Sequence, residues 1–390
     1  MSGLTAGSHC PYCYRPLPVK EIMYRCVGRI GPTGKKCERK IDPVLSRQTG
    51  DNATQFPAFP DDGRKRHAVC PHCQGSTEQH ICRYCHSTLP VHFGRADNRQ
   101  IALVGAKESG KTVYMTVLLH ELMHEVGRRL KASVLGADDH TRELFFYDYE
   151  QRLYERRELH EQTRTAAANP AGIRPLVFSL SLEVRRFHRR QLRRTLLSFF
   201  DTAGEDLIST ESVAFNTRYL HSADGIILLL DPMQLKGTPG PSSLPTDSGS
   251  DPMAVLDRIT ALLHTSPTAK KSGRINKPLA VVFSKMDTMD EALPPEFQVQ
   301  RYSSSETTFD EADSLAVDAE LRELLVGWHS SSMENLLDTN YRRYRFFGVS
   351  ALGESPTRDE NGSQRIAGDL LRPRRVHDPF LWLLNELRTL

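Results

Sequence analysis

Gly105, Ala106, Lys107, Glu108, Ser109, Gly110, Lys111 and Thr112 carry the spacing G-x-x-x-x-G-K-[ST], directly behind an apolar run at 101–104 and ahead of a stretch with helical periodicity. Few local patterns restrict a fold so tightly. A strand must deliver the chain to the loop, glycines must let backbone N–H groups turn inward around a phosphate, and a helix must bring its positive end to the same point. The lysine ammonium then reaches the outer phosphates of a nucleotide, and the last hydroxyl holds Mg²⁺. Met115, Leu118, Leu119, Leu122, Met123, Val126 and Leu130 recur at three- and four-residue steps, so a helix over 112–130 is expected to lie on a sheet.

Beyond residue 99 the pattern alternates. Strand-like runs fall at 101–104, 176–184, 195–200, 225–230, 279–283 and 345–349; helical patterns fall at 112–130, 251–264, 312–337 and 378–387. This predicts an α/β domain over 99–390, a mostly parallel six-stranded sheet with helices on both faces. With 39% hydrophobic and 25% charged residues the chain reads as a soluble globular protein, and a net charge of +3 gives no bulk pull toward nucleic acid or membrane. The longest aliphatic run, 226–230, is far too short to span a bilayer, and no apolar leader precedes the first cysteines. A cytoplasmic location is the expectation.

All eight cysteines lie between Cys10 and Cys85. In a reducing compartment Cys-x-x-Cys pairs are zinc ligands before they are disulfides. Cys70, Cys73, Cys82 and Cys85 form two close knuckles and are expected to share one Zn²⁺; Cys10, Cys13, Cys26 and Cys37 are expected to form a second site, with a wide last gap. Sets of four thiolates leave no open position for a catalytic water, so the metal is read as a folding staple, with partner docking as the functional alternative. The expected layout is a cysteine-rich module over 1–47, a polar, proline-containing linker over 48–66 and a second module over 67–92. Both modules resemble zinc ribbons.

Several strand ends suit one ligand. After 195–200 come Asp201, Thr202, Ala203, Gly204 and Glu205, where the aspartate can hold Mg²⁺ through water and the Gly204 N–H can meet a γ-phosphate. After 279–283 come Ser284, Lys285, Met286 and Asp287; a carboxylate there accepts two hydrogen bonds that guanine offers and adenine does not, with the lysine stem over the base. After 345–349 come Ser350, Ala351 and Leu352, whose backbone N–H groups can donate to the guanine O6.

In that order these segments resemble a Ras-like GTPase of the TRAFAC class, over about three quarters of the chain. Cysteine knuckles ahead of such a domain more particularly resemble the double-GTPase group encoded in bacterial conflict-type gene clusters. The resemblance implies GTP or GDP with Mg²⁺: Lys111 on the phosphates, Thr112 and Asp201 at the metal, Gly204 sensing the γ-phosphate and Asp287 reading guanine. This chain departs from the pattern at Ser284, where the family most often has asparagine, and at Leu352, where it often has lysine. Glu205 stands where Ras-like enzymes carry the glutamine that orients the attacking water, so slow intrinsic hydrolysis is expected.

The first switch threonine is expected at Thr165, with Thr163 as the other candidate. The stretch 138–160, with Phe145, Tyr149 and Leu153 at helical spacing, is expected to form an inserted helix stapled to the core. Arg185, Arg186, Arg189, Arg190, Arg193 and Arg194 are expected at a hairpin tip, as a solvated edge or as a surface for an anionic partner. Two functions fit this reading: a GTP switch with slow hydrolysis acting on a protein partner, another GTPase among the candidates, or a nucleotide-bound scaffold without turnover. A zinc-dependent nucleic-acid binder ranks third, because no aromatic platform accompanies the basic residues.

Overall fold

The computed structural model describes residues 9–52, 54–91, 93–94, 99–106, 108–159, 174–186, 189–199, 210–235, 237–239, 251–266, 273–303, 309–358, 364–366 and 371–388. Four strands, β1 (Ile101–Gly105), β5 (Gly225–Leu230), β6 (Leu279–Phe283) and β7 (Tyr344–Gly348), form a parallel sheet in the order β7-β6-β5-β1. Their near-continuous aliphatic composition is what burial on both faces demands. Alternate residues divide between the faces. Val104, Leu228, Val281 and Phe346 pack with Leu256, Ile259, Leu321 and Leu325 of helices α6 (Pro252–His264) and α7 (Glu311–Gly327). Leu103, Ile227, Val282 and Phe347 pack with Tyr114, Leu118, Phe380 and Trp382 of α1 (Lys111–Met123) and α9 (Asp378–Glu386).

The expected α/β layering is therefore present, but the sheet is not one six-stranded unit. Strands β2 (Ala132–Gly136), β3 (Leu176–Arg186) and β4 (Arg189–Phe199) form a separate antiparallel sheet in the order β4-β3-β2, with β4 lying beside β1. The Leu103 amide of β1 donates to the Tyr219 hydroxyl at 2.8 Å, so this group is engaged by a side chain and not by a further strand. The β3–β4 register sets Arg185 opposite Arg190 and Arg186 opposite Arg189 at the far end of this hairpin, whereas Arg193 and Arg194 pair with Leu182 and Ser181 nearer its middle and so do not lie at the expected tip.

Two long helical patterns are broken. The expected 112–130 helix stops at Met123, and α2 (Glu125–Leu130) restarts after His124, whose φ of −109° and ψ of −106° lie outside helical values. The expected 312–337 helix is divided into α7 and α8 (Ser331–Asn340), with His329 between them at φ +53°. Apolar periodicity persists through both breaks, which is why it does not reveal them. The insertion is helical as expected: α3 (Asp139–Glu143), capped by Asp138, runs through a π-helical turn, Leu144–Glu150, into α4 (Gln151–Tyr154). Phe145 and Leu153 are buried, with Phe145 edge-on to Phe178 at 5.4 Å, so the segment is docked on the domain.

The cysteine-rich segment is one interleaved unit and not two modules in series. Met23–Arg25 pairs with Ala58–Pro60 on one side and with His80–Ile81 on the other. The middle of the expected 48–66 linker is thus a strand, since Phe59 is buried opposite Tyr24. The unit seats on the nucleotide domain through Tyr14, which packs against Phe215 and Tyr219 at 5.2 and 4.9 Å.

Candidate nucleotide site and cysteine centres

At the carboxyl end of β1 the chain turns where only glycine fits. A Cβ at Gly105 would sit 2.4 Å from the Leu229 carbonyl oxygen, and Gly110 has a left-handed φ of +77°. Glu108 is also left-handed at φ +62°. The Ser109 hydroxyl closes the turn by donating to the Ala106 carbonyl at 2.8 Å. Helix α1 starts at Lys111 with Gly110 at its cap position, so the positive end of the helix faces the loop. The buried Lys111 amine donates to the Gly105 and Ala106 carbonyls at 3.2 and 3.0 Å. Thr112, beside it on the first turn, is half-buried.

The expected base-side residues stand at the ends of β5, β6 and β7. The Ser284 amide and hydroxyl both donate to the Leu230 carbonyl, which ties the segment to β5. Lys285, at φ +54°, extends its amine to the carboxylate of buried Asp231 at 2.7 Å, and its Cε lies 3.9 Å from where a Cβ on Gly110 would be. The lysine stem therefore passes alongside the glycine that closes the phosphate loop. The Ser350 hydroxyl donates to the Asp287 carboxylate at 2.5 Å and accepts from the Gly353 amide at 2.9 Å. This fixes one oxygen of the Asp287 carboxylate. Ala351 and Leu352 follow, both half-buried.

Two residues of this framework escape motif reading. Asp231 has the look of a structural residue because it brackets a core strand; it anchors Lys285. Arg374 exchanges backbone hydrogen bonds with Ser350 and clasps Asp290 through both guanidinium nitrogens at 3.0 and 2.7 Å. Its partner lies far away in sequence, and no spacing could flag it. Asp224, which accepts from the Gln100 amide at 2.9 Å, ties β5 to β1 from the other end of the sheet.

The eight cysteine sulfurs gather into two tetrads, Cys10, Cys13, Cys82 and Cys85, and Cys26, Cys37, Cys70 and Cys73. This corrects the expected grouping. Each tetrad takes one knuckle from each half, because the antiparallel register Met23↔Ile81 carries the chain after Arg25 toward Cys73 and the chain after Ile81 toward Cys13. Chain spacing counts residues and cannot see that register. The sulfur pairs Cys10–Cys85, Cys13–Cys82, Cys26–Cys73 and Cys37–Cys70 are 3.8, 3.9, 3.7 and 3.8 Å apart. A tetrahedral zinc–thiolate centre with arms of ~2.3 Å has an edge of about 3.8 Å, whereas a disulfide needs about 2.05 Å. The Gly28, Gly75 and Tyr84 amides donate to the Cys26, Cys73 and Cys82 sulfurs at 3.3, 3.4 and 3.3 Å, the outer hydrogen bonds that thiolate ligands need.

A family model described as Double-GTPase 2 matches residues 99–328, more than half of the chain. The chain belongs to the double-GTPase 2 family. Over 97% of its length it is 28% identical to "Putative ESX-1 scaffolding and assembly protein SaeC" of Mycolicibacterium smegmatis, covering 98% of that protein. Among solved structures, the signal recognition particle receptor SRb-GTP/SRX complex from Chaetomium thermophilum overlaps 67% of this chain and 94% of its own at 12% identity and a TM-score of 0.29. The Ski7 GTPase-like domain of S. cerevisiae, bound to GDP and inorganic phosphate, overlaps 75% of this chain and 50% of its own at 13% identity and a TM-score of 0.29.

In this double-GTPase the phosphate loop, the Ser284–Asp287 segment and the Ser350–Leu352 segment converge at one end of the parallel sheet, the usual place for ligands in open α/β sheets. Lys107, Asp201, Gly204, Glu205, Thr163 and Thr165 lie outside the described residues. No helix among the described residues is long and apolar enough to cross a membrane.

Proposed function

We propose that this double-GTPase binds GTP with Mg²⁺, hydrolyses it slowly, and presents a protein partner with different surfaces in its GTP and GDP forms. The observation that carries the reading is the placement of the Lys285 stem alongside Gly110, on a segment whose Asp287 accepts from Ser350. Asp287 would accept from guanine and the Ala351 N–H would donate to its O6. Lys111 would leave the loop carbonyls for the phosphates, while Thr112 and Asp201 hold Mg²⁺, Thr165 adds a switch ligand and Gly204 meets the γ-phosphate. The positive end of α1 and the glycine-lined turn fit a bound polyphosphate. When bound, Mg²⁺ would supply charge neutralisation on the phosphates. Both tetrads would hold Zn²⁺ as structural centres. The cytoplasm is the compartment that supplies GTP and keeps thiols reduced.

Slow turnover rests on Glu205, a carboxylate repelled by the γ-phosphate in the position of a hydrogen-bonding glutamine. A single-turnover assay with GTP tests it. Glu205→Gln is expected to speed γ-phosphate release at least tenfold without weakening GTP binding; rapid release by the parent protein and no effect of the substitution would remove the idea.

Near full-length similarity to a protein named for scaffolding and assembly favours a second reading, in which nucleotide stays bound and the protein serves as an assembly subunit. It is separated by the same assay run with candidate partner proteins, another GTPase included. A scaffold releases no γ-phosphate under any of these conditions.

A further inference from the structure

His120 lies one turn from the end of α1, the helix that begins at the phosphate loop, and His124 occupies the break after it. Spaced four apart, the two imidazoles face the same side, with ring centroids 4.2 Å apart. Glu150 approaches them from the inserted segment as the last residue of the π-helical turn. Its Oε1 is 2.7 Å from His120 Nδ1 and 3.7 Å from His124 Nε2, and one ligand atom from each of the three residues lies within 4.8 Å of the others. An ion bound to nitrogen and oxygen at ~2.0–2.1 Å sets neighbouring tetrahedral donors roughly 3.3 Å apart, a spacing that the two distances bracket.

We propose that His120, His124 and Glu150 form a third metal site, a two-histidine, one-carboxylate site for a borderline divalent ion such as zinc. A second histidine converges on the same carboxylate oxygen at 3.7 Å, beyond hydrogen-bond distance, and an ion seated among the three donors accounts for that convergence. Tyr154 stacks on His120 at 3.8 Å with the rings 19° apart, holding the imidazole plane, and its buried hydroxyl has no hydrogen-bond partner among the described residues. A π-turn adds a residue and rotates the next helical turn about the axis, and such turns recur at functional sites.

The chemistry differs from that of the tetrads. Three donors leave a coordination position open on the side where His124 is 60% exposed, so the ion exchanges with solvent while the buried thiolate centres do not. Bound there, the ion ties the distal end of the phosphate-loop helix to the insertion. Without it that tie rests on the His120–Glu150 hydrogen bond, the stacking of Tyr154 on His120 and the apolar packing of Phe145 and Leu153.

Full-length protein loaded with zinc and dialysed against a weak chelator keeps two equivalents. Titration with Zn²⁺ is then expected to add a third equivalent that raises the melting temperature, and titration with Co²⁺ to give weak visible bands without thiolate charge transfer. His124→Ala, at an exposed position that leaves the fold intact, and Glu150→Gln are each expected to weaken this equivalent at least tenfold. Both should keep the two tight equivalents, counted independently by protection of the eight thiols. Absence of a third equivalent in the parent protein, or a third equivalent that survives both substitutions unchanged, overturns the proposal.

Discussion

In the nucleotide domain, Gly105, Ser284 and Ser350 each stand within two residues of the end of a strand, while Cys10 meets Cys85 across 75 residues of sequence. The first arrangement is local: once a strand forms, its next few residues are already at the site. The second is topological, because a knuckle finds its partner only after strands far apart in the chain have paired. A site of the first kind fails by losing ligand while the fold stands. A site of the second kind fails by losing the fold.

The largest effect should come from Cys10→Ser. Structural zinc contributes on the order of 10 kcal/mol to small zinc domains, and one lost thiolate removes much of that. Loss of one zinc equivalent is expected, with Cys13, Cys82 and Cys85 becoming reactive toward an alkylating reagent while Cys26, Cys37, Cys70 and Cys73 stay protected. Mass spectrometry of the labelled protein reads the outcome. Labelling of Cys26 and Cys37 in place of Cys82 and Cys85 would restore the contiguous grouping.

Asp287→Asn tests the other side of the comparison. It removes a charged acceptor of two hydrogen bonds and leaves an amide facing guanine, a loss of about 3 kcal/mol, or roughly a hundredfold or more in GTP affinity. Ser350 can still donate to the amide oxygen, so the melting temperature of nucleotide-free protein should hold. Calorimetric titration with GTP and ATP checks both parts: a fall in stability that matched the fall in affinity would mean that this site, too, is part of the framework.

The same contrast explains what can be read without a structure. The strands at 225–230 and 279–283 coincide with β5 and β6, since fully buried aliphatic runs have abrupt polar ends. Strand β2 escapes because only Val134 of its five residues is buried, too short an alternation to stand out. Helix α5 (Thr210–Ser222) is hidden by a sequence that is largely polar. The motif residues of the site are legible and their supports are not: Asp231 and Arg374 act through partners that adjoin them only in space.

Asp42→Asn probes the framework of the cysteine unit by another route. Asp42 meets the nearly inaccessible Arg25 guanidinium at 2.8 Å and His86 at 2.8 Å. Burial alone would raise its pKa, but hydrogen bonds from Arg25 and His86 outweigh it and hold the carboxyl below its ordinary value. A depressed folded-state pKa contributes stability that is complete above the unfolded value, about 3.9, and is lost as pH falls through the folded one. At neutral pH the substitution should cost about 2–3 kcal/mol, the range for losing hydrogen bonds between charged groups, since Arg25 keeps its bonds to the Phe56 and His86 carbonyls. The gap between the two proteins should narrow in acid, measured by urea unfolding at saturating zinc. A gap that does not change with pH would assign the loss to packing.

The smallest effect concerns the seam between the two regions. Ser198 donates to the Pro11 carbonyl at 2.8 Å, so its oxygen accepts the proton of the Tyr14 hydroxyl at 2.9 Å. Tyr14→Phe deletes that bond and keeps the ring against Phe215 and Tyr219, for a loss of about 1 kcal/mol. Because Ser198 lies on β4, three residues before Asp201, the loss should register in the nucleotide domain as well as in the cysteine unit. Hydrogen exchange reads it region by region. Faster exchange in β4 and α5 together with Met23–Arg25 would make the seam cooperative. A change confined to the cysteine unit would mean that the two regions open independently, and that metal loss at one end leaves the nucleotide site intact.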